Sequence, residues 1–119
     1  MDFLRNWLEA HIEDAQNILK KPLIIGEFGK LTTTPGYTQD QRDAVFKATY
    51  DIVYASAQKG GAATGAWFWH LISDGMSNFK DSLAIVLSDN SSTANIISEE
   101  SRKLRLIFGK GKLSRKIIN

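Results

Sequence analysis

Pro22-Leu-Ile-Ile-Gly-Glu-Phe-Gly29 is a run of apolar and small residues interrupted by a single carboxylate, Glu27. Its length and composition are those of a short strand buried on both faces. In α/β proteins the C-terminal end of such a strand is where chemistry is carried out. A charge placed there, between Gly26 and Gly29, marks a candidate site.

Upstream, Leu4, Trp7, Leu8, His11, Ile12, Ala15 and Ile18 or Leu19 recur at three- and four-residue spacing, so an amphipathic helix is expected from a cap at Asp2 to about Lys20, with Pro22 stopping it. Downstream, Lys30 to Tyr37 is a Thr-rich loop punctuated by Pro35-Gly36. Thr38-Gln-Asp-Gln41 fits a capping box and opens a second helix, whose apolar face is Val45, Phe46, Thr49, Tyr50, Val53, Tyr54 and Ala57. Gly60-Gly61 supplies the left-handed residues that end helices. Thr64 to His70 is aromatic-rich and reads as a second strand, making a right-handed parallel βαβ unit. Leu71 to Asn90 lacks clear periodicity and reads as a long functional loop. Ser92 or Thr93 is expected to cap a last helix that buries Ile96, Ile97, Leu104 and Ile107.

At 119 residues the chain is of one-domain size, with 43% apolar and 24% charged residues, a composition of soluble globular proteins. No apolar run approaches the roughly 20 residues that span a bilayer. The net charge of +2 is small, although Arg102, Lys103, Arg105, Lys110, Lys112, Arg115 and Lys116 crowd residues 102–119. With only Phe108 among them to stack on bases, these read as a solvated helix end and a basic tail, and neither a nucleic-acid nor a membrane partner is expected. The absence of cysteine excludes disulfide scaffolds, thiol catalysis and thiolate metal sites. His11 and His70 lie on different elements without a partner at ligand spacing, so no metal is expected, and no Gly-rich phosphate loop follows either strand. The N-terminus lacks the basic and apolar regions of a secretory signal.

Lys21-Pro-Leu-Ile-Ile-Gly-Glu-Phe-Gly-Lys30, Pro35-Gly-Tyr37, Gln41-Arg-Asp43, Gly60-Gly61, Trp67-Phe-Trp69, Asp74-Gly-Met76 and Ser92-Thr-Ala-Asn-Ile-Ile97, in this order and spacing, resemble the C-terminal third of plant mannan endo-1,4-β-mannosidases of glycoside hydrolase family 5. The resemblance runs from about Phe3 to about Leu104. It implies an α/β fold that is part of a (β/α)8 TIM barrel: its seventh strand and helix and its eighth strand and helix, preceded by one helix. Residues 1–108 would be that barrel segment and 109–119 the basic tail. The implied activity is retaining hydrolysis of internal bonds in mannan, galactomannan and glucomannan, by a secreted cell-wall enzyme that uses no cofactor and has β-mannans as partners. The oligomeric state is left open.

By the same resemblance, Glu27 falls on the family's catalytic nucleophile and Trp69 on its substrate-binding aromatic platform. The family's acid/base Glu, in an Asn-Glu-Pro segment, has no counterpart in this sequence, nor do the His and Tyr that support the nucleophile. Two departures lie near the active-site face: His70, where relatives usually carry Gln, and Asp81-Ser-Leu83, where many have Asp-Gly-Tyr. The chain alone is therefore expected to be inactive. The alternative is a noncatalytic carbohydrate-binding or interaction remnant; a freestanding small α/β domain unrelated to sugars is the third reading.

Side chains alternate along a strand, so Trp67 and Trp69 are expected on one face and Phe68 against the helices. Trp67 is expected to pack in the core and Trp69 to lie flat against a pyranose. Asp40, Asp43 and Asp51 are expected to be solvated or to contribute to caps. Two strands do not form a stable parallel sheet by themselves, so the chain is expected to be only marginally stable.

Overall fold

The computed structural model describes residues 1–89 and 91–114. The elements run α1 (Asp2–Asp14), β1 (Leu23–Phe28), α2 (Gln39–Gln58), β2 (Ala63–Phe68), β3 (Leu71–Ile72), β4 (Ile85–Val86) and α3 (Ser92–Ser114). Residues 115–119 of the expected basic tail lie outside the described residues. Among those described, no helix is long and apolar enough to cross a membrane.

The first helix starts one residue earlier than the Asp2 cap implies, with Met1 at the N-cap. It loosens into a π turn over Ala15–Leu19 and ends where Lys20 turns left-handed, two residues before Pro22. Thr38 caps α2 as expected, its hydroxyl accepting from the Gln41 N–H at 3.2 Å. For α3 the cap is Ser91, one residue before the expected positions, with its Oγ accepting from the Ala94 N–H at 3.2 Å. Glu100, in the middle of that helix, is buried and paired with Lys103.

β1 and β2 pair in parallel through α2, as the βαβ reading requires. Register runs Ile25 to Ala66 and Phe28 to Phe68, so three residue steps on β1 oppose two on β2. The extra residue falls in Gly26-Glu27 and makes a bulge. In a regular strand Ile25 and Phe28 would point to opposite faces. With the bulge both reach the helical layer: Ile25 joins Leu8, Ile12, Ile52, Val53 and Ala63, while Phe28 packs on Phe46 and Tyr50 at ring-centroid distances of 5.0 and 5.6 Å. Phe68 faces the same layer, 5.8 Å from Phe46.

The other face of the pair is open. Ile24 is 48% and Trp67 66% exposed, which corrects the expectation that β1 is buried on both faces and that Trp67 packs in a core. Among the described residues the helices cover one face of the β1–β2 pair only.

The stretch after β2 is more ordered than a loop. β3 and β4 form a two-residue parallel ladder, Leu71 to Ile85 and Ile72 to Val86, with a 3-10 turn at Ser77–Phe79 between them. Arg42, buried in α2, donates through Nη2 to the Leu83 and Ala84 carbonyls and fixes the approach to β4. At the start of α2, Asp43 accepts from Gln39 Nε2 (2.9 Å) and from Thr93 Oγ1 (2.5 Å), joining α2 to α3; this carboxylate is a tether between helices, where a solvated charge or a cap contributor was expected.

Candidate active site

Glu27 lies at the C-terminal end of β1 with φ of 53°, one of two non-glycine residues in the left-handed region among those described. Such a conformation brings Cβ toward the following carbonyl oxygen and costs a side-chain-bearing residue about 1–2 kcal/mol. The bulge accounts for the geometry: the added residue in Gly26-Glu27 lets Ile25 and Phe28 both reach the helical layer while Glu27 stays exposed. The carboxylate is consequently exposed and belongs to none of the four ion pairs among the described residues. A Cβ added at Gly26 would meet nothing within 4 Å, so the space beside Glu27 is free.

β2 brings Trp69 to the same end of the sheet. Its backbone N–H donates to the Phe28 carbonyl at 2.9 Å, next in sequence to Glu27, and its indole is 48% exposed. Gly29 permits this approach: a Cβ there would lie 3.0 Å from both the Trp69 carbonyl and Leu83 Cδ2. By strand alternation Trp67 lies on the open face, opposite Phe68, and Trp69 follows directly after the last residue of β2. The side-chain arrangement is an exposed carboxylate and a half-exposed indole on adjacent strand ends, suited to nucleophilic attack at one atom and to stacking on an apolar ring face.

Two residues that periodicity did not single out support this rim. Asp81 Oδ1 accepts from the Leu83 and Ala84 N–H groups at 2.8 and 3.0 Å and lies 3.1 Å from His70 Nε2. The Leu83 N–H, and after it the His70 ring, hold the Asp81 carboxyl below the usual carboxylate range. The His70 ring stacks on the Trp69 indole, with centroids 5.0 Å apart and planes 24° from parallel. The signal in the sequence was an Asp two and three residues ahead of the N–H groups it caps, an Asx turn. Arg42 was likewise legible as a charge on the stripe Arg42, Phe46, Thr49, Val53, which is buried throughout.

His11 stays apart, on α1, its Nδ1 2.8 Å from the Trp7 carbonyl. Among the described residues no group of three His, Asp or Glu is placed to hold a metal. Between α1 and β1 a cavity of about 270 Å³ is lined by Leu8, His11, Ile24, Glu27 and Thr49. A larger concavity of about 540 Å³ lies between α1 and α2, among Arg5, Glu9, Glu13, Asp51 and Lys59. It contains neither Glu27 nor Trp69 and mixes charges of both signs; the smaller one includes Glu27 but not Trp69.

No family model matches the chain. It is 74% identical over 115 residues to mannan endo-1,4-β-mannosidase 3 of Arabidopsis thaliana, covering 97% of this chain and 28% of that protein. With mannan endo-1,4-β-mannosidase 1 of Oryza sativa subsp. japonica the identity is 44% over 107 residues, 90% of this chain and 25% of the relative. The endo-β-1,4-mannanase of Thermotoga petrophila superimposes with a TM-score of 0.66 at 28% identity, over 87% of this chain and 22% of that one. Along nearly its whole length the chain is thus related to plant mannan endo-1,4-β-mannosidases, and it spans about a quarter of theirs.

Proposed function

We propose that the chain is the nucleophile-bearing last segment of a retaining endo-β-1,4-mannanase of glycoside hydrolase family 5, with β1 and β2 as the seventh and eighth strands of a (β/α)8 barrel. The observation that carries this reading is Glu27: exposed in the β1 bulge and one strand away from an exposed Trp69, in a chain 74% identical to a mannan endo-1,4-β-mannosidase.

In this reading Glu27 attacks the anomeric carbon of a mannosyl unit and forms a glycosyl ester. The departing sugar oxygen takes a proton from a second carboxyl about 5–5.5 Å away, and water then releases the sugar with overall retention. Trp69 holds a mannose ring by stacking against its C–H face. The 119 residues contain no Asn-Glu-Pro segment, so the proton donor must come from elsewhere in a complete barrel. The substrates are mannan, galactomannan and glucomannan, met in the cell wall.

Joining this chain to the preceding three quarters of its Arabidopsis relative tests the assignment. The chimera is expected to release reducing sugar from mannan, and Glu27→Gln to abolish turnover while leaving oligosaccharide binding largely intact. Substantial turnover in the Glu27→Gln chimera would reject the nucleophile role. The chain alone is expected to show no turnover.

A second reading, a noncatalytic carbohydrate-binding remnant, is favoured by Trp67 and Trp69 both standing exposed. Retention of the chain on immobilised mannan, lost in Trp69→Ala, supports it; equal retention of the two rejects it.

A further inference from the structure

We propose that Asp81 is a positioning residue: it holds the His70 imidazole against the Trp69 indole and thereby sets the plane that indole presents to solvent. The use of that plane for sugar binding rests on the function proposed above, whereas the positioning itself does not.

The contacts form one continuous chain from the core to the rim. Arg42, buried in α2, donates to the Leu83 and Ala84 carbonyls, and the N–H groups of the same two residues donate to Asp81 Oδ1. The carboxylate is therefore fixed by a turn that is itself fixed by a helix. At 3.1 Å from Oδ1 stands His70 Nε2. A carboxylate oxygen only accepts, so this nitrogen carries the proton and donates. The His70 carbonyl is held as well, accepting from the Ile85 N–H at 2.8 Å. With ring and backbone both tied, the imidazole offers a stationary surface to the indole 5.0 Å away.

The indole needs that surface. It is 48% exposed and lies past the last residue of β2, so the regular side-chain alternation of the strand does not fix its two torsions. A free ring loses rotamer entropy on binding, and a ring already oriented loses less. His70 and Asp81 thus act on a ligand through Trp69, without touching it.

The test is nuclear magnetic resonance on the full 119-residue chain, with labelled His and Trp side chains. In the wild type, cross-relaxation between the His70 ring and the Trp69 indole is expected, together with an upfield ring-current shift of the His70 ring protons and a high order parameter for the Trp69 indole N–H. Asp81→Ala is expected to return the His70 shift toward its solvent value and to lower the Trp69 order parameter. Asp81→Asn, which keeps an acceptor oxygen, is expected to restore most of both. The Trp7 and His11 rings lie 4.1 Å apart, centroid to centroid, on α1, and the His11 shift reports whether that helix is still formed. Absence of His70–Trp69 cross-relaxation in the wild type, or an unchanged Trp69 order parameter in Asp81→Ala, overturns the proposal. Should Asp81→Ala also collapse the His11 shift, His70→Phe carries the test, since it keeps a ring but cannot donate; an unchanged Trp69 order parameter there overturns the proposal equally.

Titration with mannohexaose separates the two layers. Asp81→Ala is expected to weaken binding about threefold, with Trp69→Ala weakening it at least as much. Unaltered affinity in Trp69→Ala would reject the platform role, leaving the positioning to stand or fall on the resonance data. A loss in Trp69→Ala with none in a mobile-indole Asp81→Ala would reject the idea that orientation matters to the ligand.

Discussion

Replacing Glu27 by glycine should make the chain more stable than replacing it by alanine, the reverse of the order found in a regular strand. At φ of 53° a residue with a Cβ bears a strain that glycine does not. Taking mid-range values of about 1.5 kcal/mol for that strain and about 0.7 kcal/mol for the extra unfolded-state freedom of glycine, glycine should exceed alanine by about 0.8 kcal/mol. Both variants remove the carboxylate equally, so the difference isolates the backbone. Urea denaturation followed by far-ultraviolet circular dichroism is the assay. With a slope of about 1.5 kcal/mol per molar urea, the glycine midpoint should lie about 0.3–0.7 M above that of alanine. A glycine variant equal to or weaker than the alanine variant would mean that Glu27 is not held in the left-handed conformation, and the bulge that leaves it exposed would be wrong with it.

Arg42→Met keeps the bulk of the side chain but removes the donor to the Leu83 and Ala84 carbonyls; the loss should be about 2 kcal/mol, read from the urea midpoint, with faster amide exchange at Leu83, Ala84 and Ile85. Tyr50 gives an alkaline limit: burial, and after it the negative Glu100, push its hydroxyl up from 10.0 to about 12. The folded state therefore resists ionisation that the unfolded state accepts, so this contribution is whole below pH 10 and is lost as pH rises toward 12. Thermal melts from pH 9 to 12 should show the decline, and Tyr50→Phe should flatten it; an identical slope in Tyr50→Phe would place its cause elsewhere.

The order of the three helices and of β1 and β2 was legible because their signals are local, whereas the two-residue strands β3 and β4, too short to carry a pattern, were read as loop. Thr38 and Gln41 write a cap into four residues, and the stripe from Phe46 to Ala57 repeats at helical spacing. The facing of Phe68 followed from alternation alone. The bulge was not legible, since Gly26 and Glu27 fit a straight strand equally well and only pairing with β2 reveals the added residue. Trp67 was expected inside because its apolar surface argues for burial, yet exposure depends on what covers the open face, which lies beyond any local pattern. Asp43 was expected to be solvated or to contribute to a cap and Glu100 was not singled out, and each depends on partners: Thr93 lies on another helix, and the burial of Glu100 follows from how α3 packs on α2. Of the candidate site, Glu27 and Trp69 were found in the sequence, whereas the Arg42–Asp81–His70 support required the fold to bring residues 42, 70 and 81 together.

Trapping the glycosyl ester tests the nucleophile assignment most directly. The chimera with the rest of the Arabidopsis relative, treated with a 2-deoxy-2-fluoro mannoside bearing a good leaving group, should gain the mass of one fluorosugar. Peptide mapping should place it on the peptide containing Glu27, with no label in Glu27→Gln. A stable adduct on any other carboxylate, with Glu27 unmodified, would contradict that assignment.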